Sequence, residues 1–423
     1  MDIEFVPADL ALERDLILAS YVFTLPASQD AHAVVQRFAV GQTTGTWLPV
    51  PGLTRELRDR HEARIVRIQP IPAADTTTSA PDDASWYFAT IGVPAVNIGD
   101  SIPQLLTTLI GNDASTSLEA KLVDLEVPRA RLDAFAGPRF GIEGLRRVLD
   151  VESRPLLLNM LKPCTGLTPD EGAAIAYETA LGGIDMIKDD ELLGNTTFSP
   201  VVDRVIAYNE ALDRAAQVTG RRTMYIPNVS DRPDRMLDTA RRAVDAGARA
   251  VMVCYANVGY GSVEALADAV DVPILGHFAG SAPYFENATT GMTSPIASGL
   301  LPRLAGADLA LVNTPYGGYP ITRLQYLQTA QQLKVPRPGL RSTAPIIGGG
   351  VHPGTVATYV GDLGIDIVLG VGGAIQGHPG GPASGGLAMH QAIDAALAGR
   401  DVRDSDGQTP ELDAAIAAWG TLD

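Results

Sequence analysis

From about residue 150 onward, short apolar runs alternate eight times with amphipathic stretches, and no other feature restricts the fold so tightly. The apolar runs cover 156–160, 184–188, 223–229, 250–254, 273–277, 308–313, 345–350 and 365–370. Between them, apolar spacing near 3.6 marks helices over about 169–181, 201–218, 233–246, 262–269, 293–305, 321–333, 354–362 and 387–398. Eight strand–helix pairs in ~250 residues is the count and length of a (β/α)8 barrel. An open doubly wound sheet carries the same alternation, and periodicity does not separate the two. Reactive residue types cluster at the strand C-termini, where barrel sites are built, and this favours the barrel.

Residues 1 to about 137 follow a different rule. Strand-like runs at 16–25, 63–68, 86–91 and 121–127 mix with helical stretches at 31–39 and 102–111, without strict alternation. This is an α+β pattern. The segment 73–85, rich in Pro, Asp, Thr and Ala, reads as an exposed loop. The expected domains are therefore 1–137, a barrel over 138–400, and an acidic tail over 401–423 with one helix around 410–419.

Composition narrows the functional classes. With 46% apolar residues in 423, a large core is available and general disorder is excluded. A net charge of −17 without any basic tract argues against nucleic acid or an anionic membrane as partner. Two cysteines, Cys164 and Cys254, suit a reducing compartment rather than a disulfide framework. The first residues lack a basic leader region, and no apolar run approaches the ~18 residues of a membrane span, so a soluble cytoplasmic protein is expected. Only four lysines occur: Lys121, Lys162, Lys188 and Lys334. Arginine can replace most surface lysines but cannot become a neutral amine, so the retained lysines are candidates for chemistry.

The densest motif is Gly182-Gly183-Ile184-Asp185-Met186-Ile187-Lys188-Asp189-Asp190-Glu191. A strand ends in a lysine and three carboxylates follow. In most loops such a run is solvated charge. At the mouth of a barrel strand, however, the oxygens can converge on a hard divalent cation such as Mg2+. An ammonium beside that cation would repel it, whereas a neutral amine can take up CO2 as a carbamate and become a third anionic oxygen ligand.

Lys188-Asp189-Asp190-Glu191 after a Gly-Gly-x-Asp strand resembles the activation motif of the RuBisCO large-subunit superfamily. Leu161-Lys162-Pro163 with Gly166-Leu167-Thr168 resembles its first-strand motif, and Thr44-Gly45-Thr46-Trp47 a segment that reaches a phosphate in the partner subunit. Leu106 through Asn112 resembles a substrate-contacting segment. Gly349-Gly350-Val351-His352, and Gly372-Gly373 with Gly377-His378-Pro379, resemble the two phosphate loops. The resemblance implies a (β/α)8 barrel behind a smaller α+β, ferredoxin-like domain. It implies Mg2+ on Asp190, Glu191 and a carbamylated Lys188, and a catalytic Lys162. It also implies substrate or phosphate contacts from Thr46, Trp47, Asn112, Gly349, Gly350, Gly372 and Gly373, and a homodimer or higher homo-oligomer with shared sites. His277, ending the fifth barrel strand, is a candidate to orient substrate or shuttle a proton. His352 and His378 are loop residues without assigned chemistry, and Cys164 is read as packing.

The departures exclude CO2 fixation. The carboxylase has a second lysine where Cys164 stands, an arginine where Phe278 follows His277, and a lysine in the sixth-strand loop, here Asn313-Thr314-Pro315-Tyr316-Gly317-Gly318-Tyr319. Without these cations an added carboxylate and one phosphate lose their electrostatic support. A RuBisCO-like protein is expected instead. The Pro-Tyr-Gly loop and Gly137-Pro138-Arg139-Phe140-Gly141 look most like the diketo-methylthiopentyl-phosphate enolases of methionine salvage. Those enolases carry a general-base lysine where this chain has Asn112, and an amide takes no proton near neutral pH. The leading expectation is therefore an enolate-forming enzyme acting on a phosphorylated ketose or 3-oxo sugar acid. Its reaction would be decarboxylation, or transcarboxylation and hydrolysis, of the 3-oxo-isoapionate-phosphate type. The enolase, and a retired homologue that only binds a phosphometabolite, are the alternatives.

Overall fold

The computed structural model describes residues 3–72, 84–404 and 409–422. The chain divides into two compact units, one comprising 1–135 with 281–297 and 337–340, the other 136–280, 298–336 and 341–423.

The first unit is built on a four-stranded antiparallel sheet of β1 (Leu16–Pro26), β2 (Arg64–Ile71), β3 (Ala84–Pro94) and β4 (Lys121–Glu126), ordered β2-β3-β1-β4. The helix Ala31–Gly41 lies between β1 and β2, and Ile102–Leu109 between β3 and β4. That succession and strand order are those of a ferredoxin-like domain. Both helices begin where the sequence supplies a cap: Asp30 accepts from His32 N at 3.0 Å, and Ser101 accepts from Gln104 N. Further helices escape the sequence reading, among them Ala8–Glu13 and Arg55–His61. The second buries no residue, so it leaves no apolar period to detect. Of the loop expected over 73–85, residues 73–83 lie outside the described residues, while Ala84 and Ser85 belong to β3.

The second unit carries the eight-stranded parallel sheet: β5 (Leu156–Met160), β6 (Met186–Lys188), β7 (Met224–Ile226), β8 (Val251–Cys254), β9 (Ile274–His277), β10 (Leu309–Asn313), β11 (Ala344–Gly348) and β12 (Val368–Val371). Its order is β7-β6-β5-β12-β11-β10-β9-β8. The two ends of that order meet: Asn228 bridges Met252, Val229 N donates to Met252 O at 2.9 Å, and Met252 N donates to Pro227 O at 2.8 Å. The sheet is thus the barrel that the sequence favoured over an open sheet. Its core is filled by strand side chains including Leu156, Leu158, Met186, Met224, Met252, Leu275, Leu309, Leu311, Ile346 and Val368. Parallel strands covered on both faces read as unbroken apolar runs, which is why they were visible.

Several strands are shorter than their apolar runs, for local reasons. Positive φ at Gly349 (93°) and Gly350 (76°) ends β11 before the run stops. Pro227 cannot donate to a ladder, and β7 ends before it. The helix expected over 293–305 is a π-helical turn (Pro295–Leu300) followed by the short helix Leu301–Leu304. The last barrel helix starts earlier than expected, at Pro382. Its first turns carry Gly385 and Gly386, pressed against the backbones of Ile375 and Gly182, and glycines give no hydrophobic signal. The helix Pro410–Trp419 follows, tied down by Gln391, whose side chain donates to Glu411 Oε2 and accepts from Leu412 N. Among the described residues, no helix is long and apolar enough to cross a membrane.

Candidate active site

Lys188 is the last residue of β6 and is 1% exposed. Its Nζ donates to Asp189 O at 2.8 Å. Burial pulls its pKa below the usual lysine value, against the pull of Asp190, Glu191 and Asp189 in the other direction. The three acids that follow do not act as one group. Asp189 turns into the barrel wall, where its carboxylate accepts from Tyr225 OH (2.6 Å), Asn228 N (2.9 Å) and the fully buried Arg204 Nη2 (2.9 Å). That carboxylate is satisfied and belongs to the scaffold.

Asp190 faces the other way. Its Oδ2 accepts from Lys162 Nζ at 2.8 Å and its Oδ1 from Leu192 N at 3.2 Å. Burial works to raise its pKa, but the hydrogen bonds from Lys162 and Cys164 prevail and hold it at about 2. Lys162 is pulled down by burial yet held above the ordinary lysine value by Asp190 and Cys164, so it stays charged. Its Nζ also reaches Cys164 Sγ at 2.9 Å. Cys164 is therefore not the packing residue expected from the sequence; its sulfur is a polar partner of Lys162.

Glu191 Oε2 lies 3.3 Å from His277 Nε2. Desolvation, reinforced by the charge of Lys188, lowers the imidazole to about 3, so the ring is neutral at physiological pH. His277 Nδ1 accepts from Ala279 N at 3.1 Å, which puts the ring proton on Nε2, toward Glu191. The contact is a hydrogen bond from a neutral donor and not an ion pair.

These groups open on one cavity of about 410 Å3, within the range of small-molecule sites. Lys162, Lys188, Asp190, Glu191 and His277 line it, together with Gly349, Gly350, Gly372 and Gly373 from the loops after β11 and β12. The Gly372 backbone runs close to the Lys162 side chain, where an added Cβ would be in ordinary contact with Cε at 3.4 Å. The sequence reading missed the aromatic and amide lining: Tyr319 and Asn313 around the β10 loop, and Trp419 from the last helix. Phe278 lines the cavity where the sequence noted a missing arginine, and His352 joins the lining despite having been assigned no chemistry. His378 instead places its Nε2 2.9 Å from Glu411 O. Thr46, Trp47 and Asn112 belong to the N-terminal unit. Thr46 Oγ1 accepts from Leu48 N, Trp47 is 48% exposed, and Asn112 Oδ1 accepts from Thr116 Oγ1.

As a cation site the cluster offers hard carboxylate oxygens from Asp190 and Glu191 beside a buried amine. Among the described residues no three His, Cys, Asp or Glu side chains gather as a metal cage. The donor set fits Mg2+ when Lys188 contributes an anionic oxygen, and its buried amine, shifted toward the neutral form, is the kind that can add CO2.

Residues 141–419 match the family model of the ribulose bisphosphate carboxylase large chain, catalytic domain. A ribulose bisphosphate carboxylase-like protein of Archaeoglobus fulgidus is 40% identical over 390 residues, covering 91% of this chain and 89% of that protein. The 2,3-diketo-5-methylthiopentyl-1-phosphate enolase of Geobacillus kaustophilus is 33% identical, covering 96% and 98%. The crystal structure of a rubisco-like protein from Alicyclobacillus acidocaldarius superposes with a TM-score of 0.88 at 34% identity, covering 96% and 100%. With this barrel, this lysine–carboxylate cluster and these relatives, the chain belongs to the RuBisCO large-subunit superfamily, as a RuBisCO-like protein of form IV, close to the diketo-methylthiopentyl-phosphate enolases.

Proposed function

We propose that this chain is a non-carboxylating, Mg2+-dependent enzyme that enolises a phosphorylated dicarbonyl sugar derivative of the 2,3-diketo-5-methylthiopentyl-1-phosphate kind. The observation that carries this reading is the convergence of Lys162, Lys188, Asp190, Glu191 and His277 on a single cavity bordered by two pairs of glycines. The enolase relatives, aligned over nearly their whole length, favour this substrate over a 3-oxo sugar acid.

Asp190, Glu191 and a carbamate formed from CO2 on Lys188 would hold Mg2+, which when bound supplies Lewis acidity toward a carbonyl and its neighbouring oxygen. Charged Lys162 donates from Nζ to the oxygen of the group being enolised, a position fixed by Asp190 and Cys164, and the carbon-bound proton would pass to the oxygen of the Lys188 carbamate that does not face the cation. His277 Nε2–H orients the Glu191 carboxylate. Gly349, Gly350, Gly372 and Gly373 offer backbone N–H groups to the phosphate without side-chain bulk. The side chains of Phe278, Met160 and Trp419 line the same space and give it an apolar border. Thr46 and Trp47, exposed on the N-terminal unit, would complete a partner's site in a homodimer, with Asn112 contacting substrate.

A second reading is kept by one residue. Asn112 stands where the enolases have their base, and loss of CO2 from a 3-oxo acid phosphate needs no proton abstraction there. One experiment separates the two. The protein is preincubated with bicarbonate and Mg2+ and offered the diketone phosphate in D2O, with Lys188→Ala as control. Deuterium exchange at the carbon beside the carbonyl, lost on the order of a thousandfold in the variant, supports the enolase. CO2 release from a 3-oxo acid phosphate without diketone exchange supports the second reading. Undiminished turnover by Lys188→Ala rejects both.

A further inference from the structure

The β10 loop, where a carboxylase would present a lysine, is tied down here by groups that lie away from the cavity. Thr314 Oγ1 accepts from Tyr316 N at 3.2 Å and opens a 3-10 turn over Pro315–Gly317. Tyr316 OH then donates to Asp362 Oδ2 at 2.9 Å, and Arg323 donates to both Tyr316 OH (3.1 Å) and Asp362. The Tyr316 ring sits among Tyr326 and Tyr359, at centroid distances of 6.1 and 5.7 Å. Asp362 lies on the helix Val356–Leu363 and does not line the cavity; its side chain is 7% exposed.

The other end of the loop touches the glycines of the cavity. A Cβ on Gly317 would fall 1.9 Å from Gly349 O, and one on Gly350 would fall 2.5 Å from Gly317 Cα. One on Gly349 would lie 2.3 Å from Tyr319 Cε2, so the Tyr319 ring is laid directly over that glycine. With Tyr316 held at Asp362 and Gly317 pressed on Gly349, the four residues from Tyr316 to Tyr319 have little freedom to sit elsewhere.

We propose that Asp362 is a positioning residue that, through Tyr316 and Arg323, fixes the β10 loop against Gly349–Gly350 and so sets Tyr319 as the wall over the phosphate end of the cavity. The part concerning phosphate rests on the reading given under Proposed function; the part concerning the loop does not. The knot supplies two kinds of restraint. The carboxylate accepts from both a phenol and a guanidinium, which are charge-assisted bonds, and the Tyr316 ring packs against Tyr359. An aromatic wall held in this way selects for substrates whose phosphate end is slim enough to lie between Tyr319 and backbone, and against a second charged group there.

The test uses the whole chain without ligand, comparing Asp362→Asn, Tyr316→Phe and Asp362→Glu with the parent. Backbone hydrogen exchange is followed over 314–322, with 186–191 as the internal reference. Asp362→Asn and Tyr316→Phe should speed exchange over 314–322 about tenfold and leave 186–191 unchanged, and Asp362→Glu should restore most of the protection. Parent-like exchange over 314–322 in both Asp362→Asn and Tyr316→Phe overturns the proposal. Should Asp362→Asn not fold, Arg323→Ala, at a side chain 59% exposed, carries the same measurement. Calorimetric titration with inorganic phosphate forms a separate arm. Faster loop exchange with weaker phosphate binding supports the full proposal. Faster loop exchange with unchanged phosphate binding keeps the positioning role and rejects the phosphate assignment of Gly349–Gly350.

Discussion

The cavity is lined in two different ways. The stretch from β5, β6 and β9 is made of side chains, with Lys162, Lys188, Asp190, Glu191 and His277 each held by a named partner. The stretch from β11 and β12 is made largely of main chain, where glycines allow loops to approach each other at the cavity wall. The first needs electrostatic support from behind, and receives it from Asp189, Arg204 and Tyr225. The second needs only space and backbone conformation. Charge is thus held by other charge, while a glycine loop is held by the shape of its neighbours.

Removing the support of the charged stretch should have the largest effect. Arg204→Met strands the Asp189 carboxylate in a site without solvent, and should cost about 3–5 kcal/mol of unfolding free energy in urea titration. A loss below about 1 kcal/mol would mean that Asp189 is held by Tyr225 and Asn228 alone, and the contrast would weaken. On the glycine stretch, Gly349→Ala adds a Cβ at a φ of 93° and against Tyr319. Strain of ~1–3 kcal/mol there should raise KM for the phosphorylated substrate about tenfold, with kcat changed much less. The smallest effect is expected between the two. Cys164→Ala removes one partner of Lys162 and leaves Asp190, so kcat should fall about fivefold, the worth of one hydrogen bond, with Cys164→Ser recovering most of it. An unchanged kcat in Cys164→Ala would assign the placement of Lys162 to Asp190 alone.

Much of this molecule was legible before its structure. The eight apolar runs mark the eight barrel strands, since each strand is buried on both sides and polar residues are few, as with Asn159 in β5 and Asn313 at the end of β10. The lysine–acid motif was legible because its meaning lies in adjacent residues. What stayed hidden depends on contacts between residues far apart in sequence. Asp189 and Asp190 are neighbours in the chain just past the end of β6, but their partners differ: Asp189 is held in the barrel wall by Arg204 and Asp190 is held at the cavity by Lys162. Asp362 meets Tyr316 across 46 positions, and Arg204 meets Asp189 across 15, with no local pattern in either case. Trp419 reaches the cavity from a helix whose own sequence announces only a helix.

The seam where β7 meets β8 gives the acidic motif a second meaning. Asn228, the residue that bridges this seam, gives its N–H to Asp189 and its side-chain amide to the carbonyls of Asp190 and Glu191. The hoop of strands is therefore fastened by the same short segment whose Asp190 and Glu191 carboxylates line the cavity. Mutational drift in that segment would strain the clasp of the fold along with its chemistry, so a descendant that abandoned the reaction would still be under pressure to keep the residues that look catalytic.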